Sequence, residues 1–323
     1  LFPYTTLFRS EQGYGQIKVI CKAEPIEKVL ADPDFPDSLK SKLFLIQEIR
    51  QYAIDSLGLN DSESYNTVFD QQGKPILWVV TASPPYEIKE YHWSFPIAGD
   101  FPYKGYFNKK NAEKEAQKLR EKGYDTEISI VEAWSTLGFF NDPILSNMLS
   151  RSEGRLARVI IHELTHSTVF VKNDIDFNEN LATFIGDYGA KKFLVDKYGV
   201  FSPQYREYIG EISDMEKYSE HILRGANKLD SLYQTFDEQM DEKQKIQKKN
   251  EMIRQIMATT DTIDFYDKSI IDRISEDDYM PNNAYFVHFR MYRENLIQFE
   301  SEFKNEYKSD FRTYLYHLKQ KYQ

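Results

Sequence analysis

One cysteine, Cys21, stands among 323 residues. No intrachain disulfide can form from it, and no thiolate zinc cluster can be built. Long apolar runs are also missing: no stretch reaches the ~18 apolar residues of a membrane-spanning helix. Basic charge is in deficit, with 41 Lys and Arg against 51 Asp and Glu and a net charge of −10. That balance argues against nucleic acid as a partner, because phosphate binding needs a basic face. The basic cluster from Lys109 to Lys122 carries acids within it and reads as a solvated helix face. Neither an internal repeat nor a low-complexity linker is present. Cys21 follows Val19 and Ile20 rather than the small residues of a lipoprotein cleavage site, so it reads as a packed helix cysteine.

The residues that are there describe a globular body. Apolar residues make up 41% and charged residues 28%, near the norm for folded domains. The 23 Tyr and 22 Phe supply large buried area with hydroxyl handles. The opening LFPYTTLFRS begins with Leu and reads as a translated sequencing-adaptor remnant, left out of the fold. Residues 11–323 are expected to form one domain in three parts. These are a helical start with a small sheet over 11–150, a central pair of helices over 151–200, and a helical remainder over 201–323.

Periodicity supports that division. EPIEKVLAD reads as a short helix. PDFPDSLKSKLFLIQEIRQYAIDSLGL reads as a longer one, with Leu43, Leu45, Ile46, Ile49 and Ala53 on its apolar face and Gly58 at its end. YNTVF, ILWVVTA and EYHWSFPIAG are β-branched and aromatic, and the alternation of Thr126, Ile128 and Ile130 continues that texture. With NKKNAEKEAQKLREKG between them, these predict one small mixed sheet carrying a crossover helix. RSEGRLARVIIHELTHSTVF and DFNENLATFIGDYGAKKFLVDKYG predict the central helices. A charged antiparallel pair follows over about Pro203 to Thr259, and a closing helical pair ends the chain. The expected fold class is α+β, mainly helical and zincin-like, with a long C-terminal helical part.

The chemistry concentrates in VIIHELTHSTVFVKNDIDFNENLA. His162, Glu163 and His166 form HExxH. At ~100° per residue, positions four apart lie about 40° from each other, so both imidazoles share a helix face and can grip one Zn²⁺. Glu163 sits on the shoulder of that face, where it can reach a water as general base. A chance HExxH arises in about one chain in a hundred of this length. The uncharged flanks Val159, Ile160, Leu164 and Thr165 favour a buried site instead. A catalytic zinc needs a third protein ligand. Position 172 is Lys, which excludes a third histidine at that spacing, and Glu179 is the candidate. Its competing reading is a capping box in which Asp176 caps a helix and Glu179 is the acid three residues on. The other histidines, His92, His221, His288 and His317, lack ligand spacing and read as surface or core residues. His288 is the least secure of them.

GQIKVICKAEPIEKVLAD, FPIAGDFPYKGYFN, EAWSTLGFFNDPILSNML, IIHELTHSTVFVKNDIDFNENLATFIGDYG and PNNAYFVHFRMY occur in this order between about Gly13 and Tyr316. The chain resembles the bacterial predicted aminopeptidases, zinc metallopeptidases of the glutamate-zincin type. The resemblance implies one Zn²⁺ on His162, His166 and Glu179, Glu163 as base, and a peptide or protein substrate. It also implies a membrane tether and a place in the cell envelope, periplasmic or anchored outside the cytoplasm. Ser94 and Asp100 stand near positions where relatives carry cysteines, so a family disulfide is absent here.

Several roles remain open at this level. Tyr292 and Tyr106 are candidates for a second oxyanion donor, with core tyrosine as the plainer identity of each. Asn178, Thr183 and Asp187 are candidate partners for the ligand imidazoles, or simply polar helix residues. VEAWSTLGFF is a candidate edge strand for an extended substrate. No amine-binding motif separates an aminopeptidase from an envelope endopeptidase. A tethered, non-enzymatic scaffold with structural zinc is the rival from another class.

Overall fold

The computed structural model describes residues 15, 17–95, 99–130, 141–172, 174–271, 280–291 and 294–322. In chain order the strands are β1 (Glu24–Pro25), β2 (Thr67–Phe69), β3 (Trp78–Ser83), β4 (Trp93–Phe95), β5 (Gly99–Phe101), β6 (Lys104–Tyr106), β7 (Asp125–Ile130) and β8 (Ile144–Leu145). The helices are α1 (Ile26–Ala31), α2 (Asp37–Tyr52), α3 (Lys109–Arg120), α4 (Glu153–His166), α5 (Ile175–Tyr198) and α6 (Pro203–Tyr233). They continue with α7 (Glu242–Ala258), α8 (Asn283–Met291), α9 (Glu294–Asn305) and α10 (Phe311–Tyr322). The fold is α+β and mainly helical, as the periodicity predicts. The chain divides into two compact units. One is built from Leu1–Ile76, Val131–Tyr208 and Glu294–Gln323, the other from Leu77–Ile130 and Ile209–Arg293.

In the first unit α2 buries Leu43, Leu45, Ile46 and Ile49. A π turn over Ala53–Leu57 then ends on Gly58 at φ +78°, a left-handed position that glycine occupies without steric cost. β2 pairs with β1 antiparallel and with β8 parallel, Val68 opposite Ile144 and Phe69 opposite Leu145. That pairing holds Ile144 and Leu145 in the core. A 3-10 turn over Ser146–Ser150 follows, and then Ser152, whose hydroxyl accepts from the Arg155 N–H and caps α4. α9 and α10 meet α5 through aromatic rings. Tyr188 stacks on Phe311 at 4.6 Å, and Phe184 meets Phe303 edge-on at 5.5 Å; such pairs contribute about 0.5–1.5 kcal/mol each beyond area burial.

In the second unit β3 lies between β6 and β7, antiparallel to both. β6 and β7 are therefore parallel to each other, and α3 is the crossover between them. Ala112, Ala116 and Leu119 are the buried face of that helix, the spacing expected of one stripe. Two-stranded β4–β5 sets Ser94 directly opposite Asp100. Further along, Ile222, Ala226, Leu229 and Tyr233 of α6 form a core with Ile253 and Ile256 of α7 and Phe286 of α8.

Two expectations need correction. The single sheet is three small ones, because β2 pairs with the distant β1 and β8 rather than with its sequence neighbour β3. Side chains across the following turn pull it there: Gln71 N–H donates to Ser146 Oγ, and Gln71 Oε1 accepts from the Asn147 N–H. Cys21 is exposed rather than packed, since Val19, not Cys21, is the buried residue of its turn.

The PNNAYF block earns its place through a buried knot in the second unit. β3 stops at Pro84 and Pro85, whose carbonyls accept from Asn283 Nδ2 at 2.9 and 3.0 Å. Asn283 Oδ1 accepts from Tyr233 Oη at 2.7 Å, and its N–H donates to Asp125, which also pairs with Lys249. Asn283 is fully buried, so Asn283→Ala strands several polar groups at once. The expected loss is about 3 kcal/mol of stability, read as a lower urea midpoint with unchanged slope. A midpoint equal to wild type would show the knot to be dispensable.

Candidate metal centre

α4 forms because Leu156, Ala157, Ile160, Ile161 and Leu164 fall on one buried stripe. Its end comes sooner than the predicted helix through Phe170. Thr165 and Thr168 hydroxyls donate back to the Ile161 and Leu164 carbonyls, which slightly disfavours continuation. Asn60 then captures the exposed end, its Nδ2 donating to Ser167 O and its N–H to Thr168 Oγ1. The connection to α5 is braced by Asn178, whose amide donates to Val171 O and accepts from the Val171 N–H, both at 2.8 Å.

The start of α5 decides what Glu179 does. Its N-cap is Asp174, whose carboxylate accepts from the Phe177 N–H at 3.0 Å. Glu179 lies five residues past that cap, beyond the position a capping box requires. Its carboxylate instead faces the two histidines. His162 Nε2 and His166 Nε2 are 3.3 Å apart, and Glu179 oxygens lie 3.4 Å from the first and 3.6 Å from the second. These separations are long for hydrogen bonds. They match the edge of a zinc tetrahedron, which for bonds of 2.0–2.1 Å is ~3.3–3.4 Å. Among the described residues this is the group of His, Cys, Asp and Glu side chains whose donors, all within 4.8 Å, could hold a metal ion.

The three groups shift one another's charge. Burial lowers the basicity of His162, but the adjacent Glu179 carboxylate and the charge of Glu163 outweigh it and raise its pKa. His166 goes the other way, pushed down to about 4 by burial and by His162, against the pull of Glu179. Burial raises Glu179, yet the two imidazoles hold it below the usual carboxylate range. Glu179 thus holds its negative charge beside the two imidazoles. His166 is 2% exposed at its side chain, and its Nδ1 is buried without a partner among the described residues. Its available chemistry is at Nε2. The donor set of two neutral nitrogens and one carboxylate suits Zn²⁺.

The remaining candidates are distributed as follows. Glu163 lies beside the triangle, and its charge reaches the phenol of Tyr65; burial first, then Glu163 and Asp142, raise that hydroxyl's pKa well above its ordinary value. Tyr65 is buried and left-handed at φ +65°, a conformation with no signature in the sequence. Asp187 accepts from Arg158 Nε at 2.7 Å and Tyr208 Oη at 2.9 Å, and Thr183 is buried on α5. Tyr106 is a buried residue of β6 in the second unit. Tyr292 and the stretch VEAWSTLGFF lie outside the described residues. His92 pairs with Glu90, His221 with the Ile256 carbonyl, and His317 packs on Tyr307. His288 is an exposed residue of α8 in the second unit.

Arg158 went unnoticed in the sequence although a signal existed: it stands four residues before His162, on the same helix face. Comparison with curated proteins and with solved structures gives no match. The family described as "Putative aminopeptidase" has a model that matches residues 8–322, and the chain belongs to that family.

Proposed function

We propose that this protein is a zinc-dependent aminopeptidase of the glutamate-zincin type. The observation that carries the reading is the triangle of His162, His166 and Glu179, sized for one face of a zinc tetrahedron. Membership of an aminopeptidase family supports peptide hydrolysis as the reaction. A bound Zn²⁺ would supply Lewis acidity toward the scissile carbonyl and lower the pKa of a water towards ~7.

The chain's own residues do the rest. His162 and His166 present neutral Nε2 donors from one helix face, and Glu179 adds a carboxylate from the next helix. Glu163, one position on from His162, takes the proton of the attacking water and delivers it to the leaving amine. The burial of Ile160, Ile161 and Leu164 around the motif keeps water from the inner side of the ligands, which strengthens their hold on charge. The substrate class is peptides or proteins, and the place of action is outside the cytoplasm, periplasmic or membrane-anchored, as the family resemblance implies. Among the described residues no helix is long and apolar enough to cross a membrane.

The test uses zinc-loaded protein on paired peptides, one with a free α-amine and one N-acetylated. Release of the first residue from the free peptide, and at least a hundredfold slower cleavage of the acetylated one, is the expected result. Equal internal cleavage of both makes the protein an endopeptidase. Stoichiometric zinc without hydrolysis of either makes it a scaffold.

A further inference from the structure

The three ligands come from two helices, so their meeting depends on how α5 is set against α4. The helices run antiparallel, and three contacts follow one another along them. Glu179 lies against His166 and His162. Gly186 comes next: a Cβ there would stand 2.9 Å from the Arg158 carbonyl and 3.2 Å from His162 Cβ. One residue on, Asp187 takes both Arg158 Nε and Tyr208 Oη on a single carboxylate oxygen. Tyr208 is itself pressed onto Gly154 at the start of α4, where a Cβ would fall 2.4 Å from its ring. Backbone contact at Gly186 sets how closely the helices approach but leaves them able to slide. A directed hydrogen bond at each of two donors does not.

From this geometry we propose that Asp187 is a positioning residue of the metal centre. By holding Arg158 of α4 and Tyr208 of α6 at one oxygen, it fixes the register of α5 and hence the place of Glu179. The inference rests on the zinc reading given above. The leverage is large because a slip of one residue moves a helix by ~1.5 Å and turns it ~100°. Metal bonds tolerate only about 0.2 Å. Its effect passes through Arg158, one turn before His162.

The experiment measures zinc affinity by competition with a chromophoric chelator, and amide hydrogen exchange on the metal-free protein. Asp187→Ala is expected to weaken zinc binding about 10–100-fold, the range typical of residues that orient metal ligands. It is also expected to speed exchange over residues 158–166. Tyr208→Phe, which removes one hydroxyl, should shift both in the same direction by a smaller factor, and it carries the test if Asp187→Ala does not fold. Asn283→Ala, a destabilising change in the other unit, should leave zinc affinity as in wild type. That outcome separates positioning from general loss of stability. Zinc affinity within twofold of wild type in folded Asp187→Ala, with unaltered exchange, overturns the proposal and leaves the metal reading intact. Wild-type protein that takes up no zinc overturns the metal reading and the proposal together. Loss of zinc in Glu179→Ala without faster exchange over residues 158–166 marks a ligand defect as distinct from a register defect.

Discussion

Glu163→Gln is expected to abolish peptide hydrolysis while the protein keeps its zinc. The substitution retains size, helix propensity and hydrogen-bonding reach, so α4 and its buried stripe should be undisturbed. Gln cannot accept a proton from water or pass one to an amine, and general acid–base catalysis contributes roughly 10²–10⁴-fold. A fall of that size in kcat corresponds to about 3–5 kcal/mol of barrier. The proposed metal donors are His162, His166 and Glu179, whose Nε2 and carboxylate atoms lie 3.3–3.6 Å apart. Glu163 stands outside that triangle. Zinc content by mass spectrometry of the native protein should therefore match wild type. Activity within tenfold of wild type would remove Glu163 from the mechanism. Zinc lost along with activity would make it a ligand instead.

Glu179→Ala should do the reverse. It removes the carboxylate that bridges the two imidazoles, leaving two ligands where a catalytic zinc takes three. The fall in affinity should exceed the ~10–100-fold of an outer-shell change, so that dialysed protein retains no zinc. A thermodynamic signature accompanies it. At free zinc a thousandfold above the dissociation constant, binding stabilises wild type by about 4 kcal/mol. The zinc-dependent rise in melting temperature should vanish in the variant. Helix α5 itself should survive, because its cap is Asp174 bonded to the Phe177 N–H and not Glu179. Retained zinc, or a variant that loses α5, would return Glu179 to a structural role.

These two residues mark the boundary between local and tertiary information. HExxH is local: a helix repeats every 3.6 residues, so His162 and His166 must share a face wherever the helix goes. Leu43, Leu45, Ile46 and Ile49 were legible for the same reason, as was the stripe of α3. Backbone hydrogen bonds within a helix span four residues, and a pattern of that reach is written in the chain. Strand pairing has no such reach. β2 could have joined β3 nearby, and the bonds from Gln71 to Ser146 and Asn147, 75 and 76 positions away, decided otherwise.

Glu179 shows the limit most clearly. From the sequence alone it was either a ligand or part of a capping box begun by Asp176. Both readings obey helix chemistry, and they differ only in where α5 starts and how it lies against α4. The tertiary structure settled the first point through the Asp174 cap and set the second through Gly186 and the Asp187 contacts. The left-handed backbone of Tyr65, the exposure of Cys21 and the pairing of Arg158 with Asp187 belong to the same class. The sequence by itself determined the helices, the shared face of the two histidines and the glutamate beside them. Which carboxylate meets those histidines was decided only when two helices packed, because a side chain's partner across an interface depends on register, and register is a property of the packed pair.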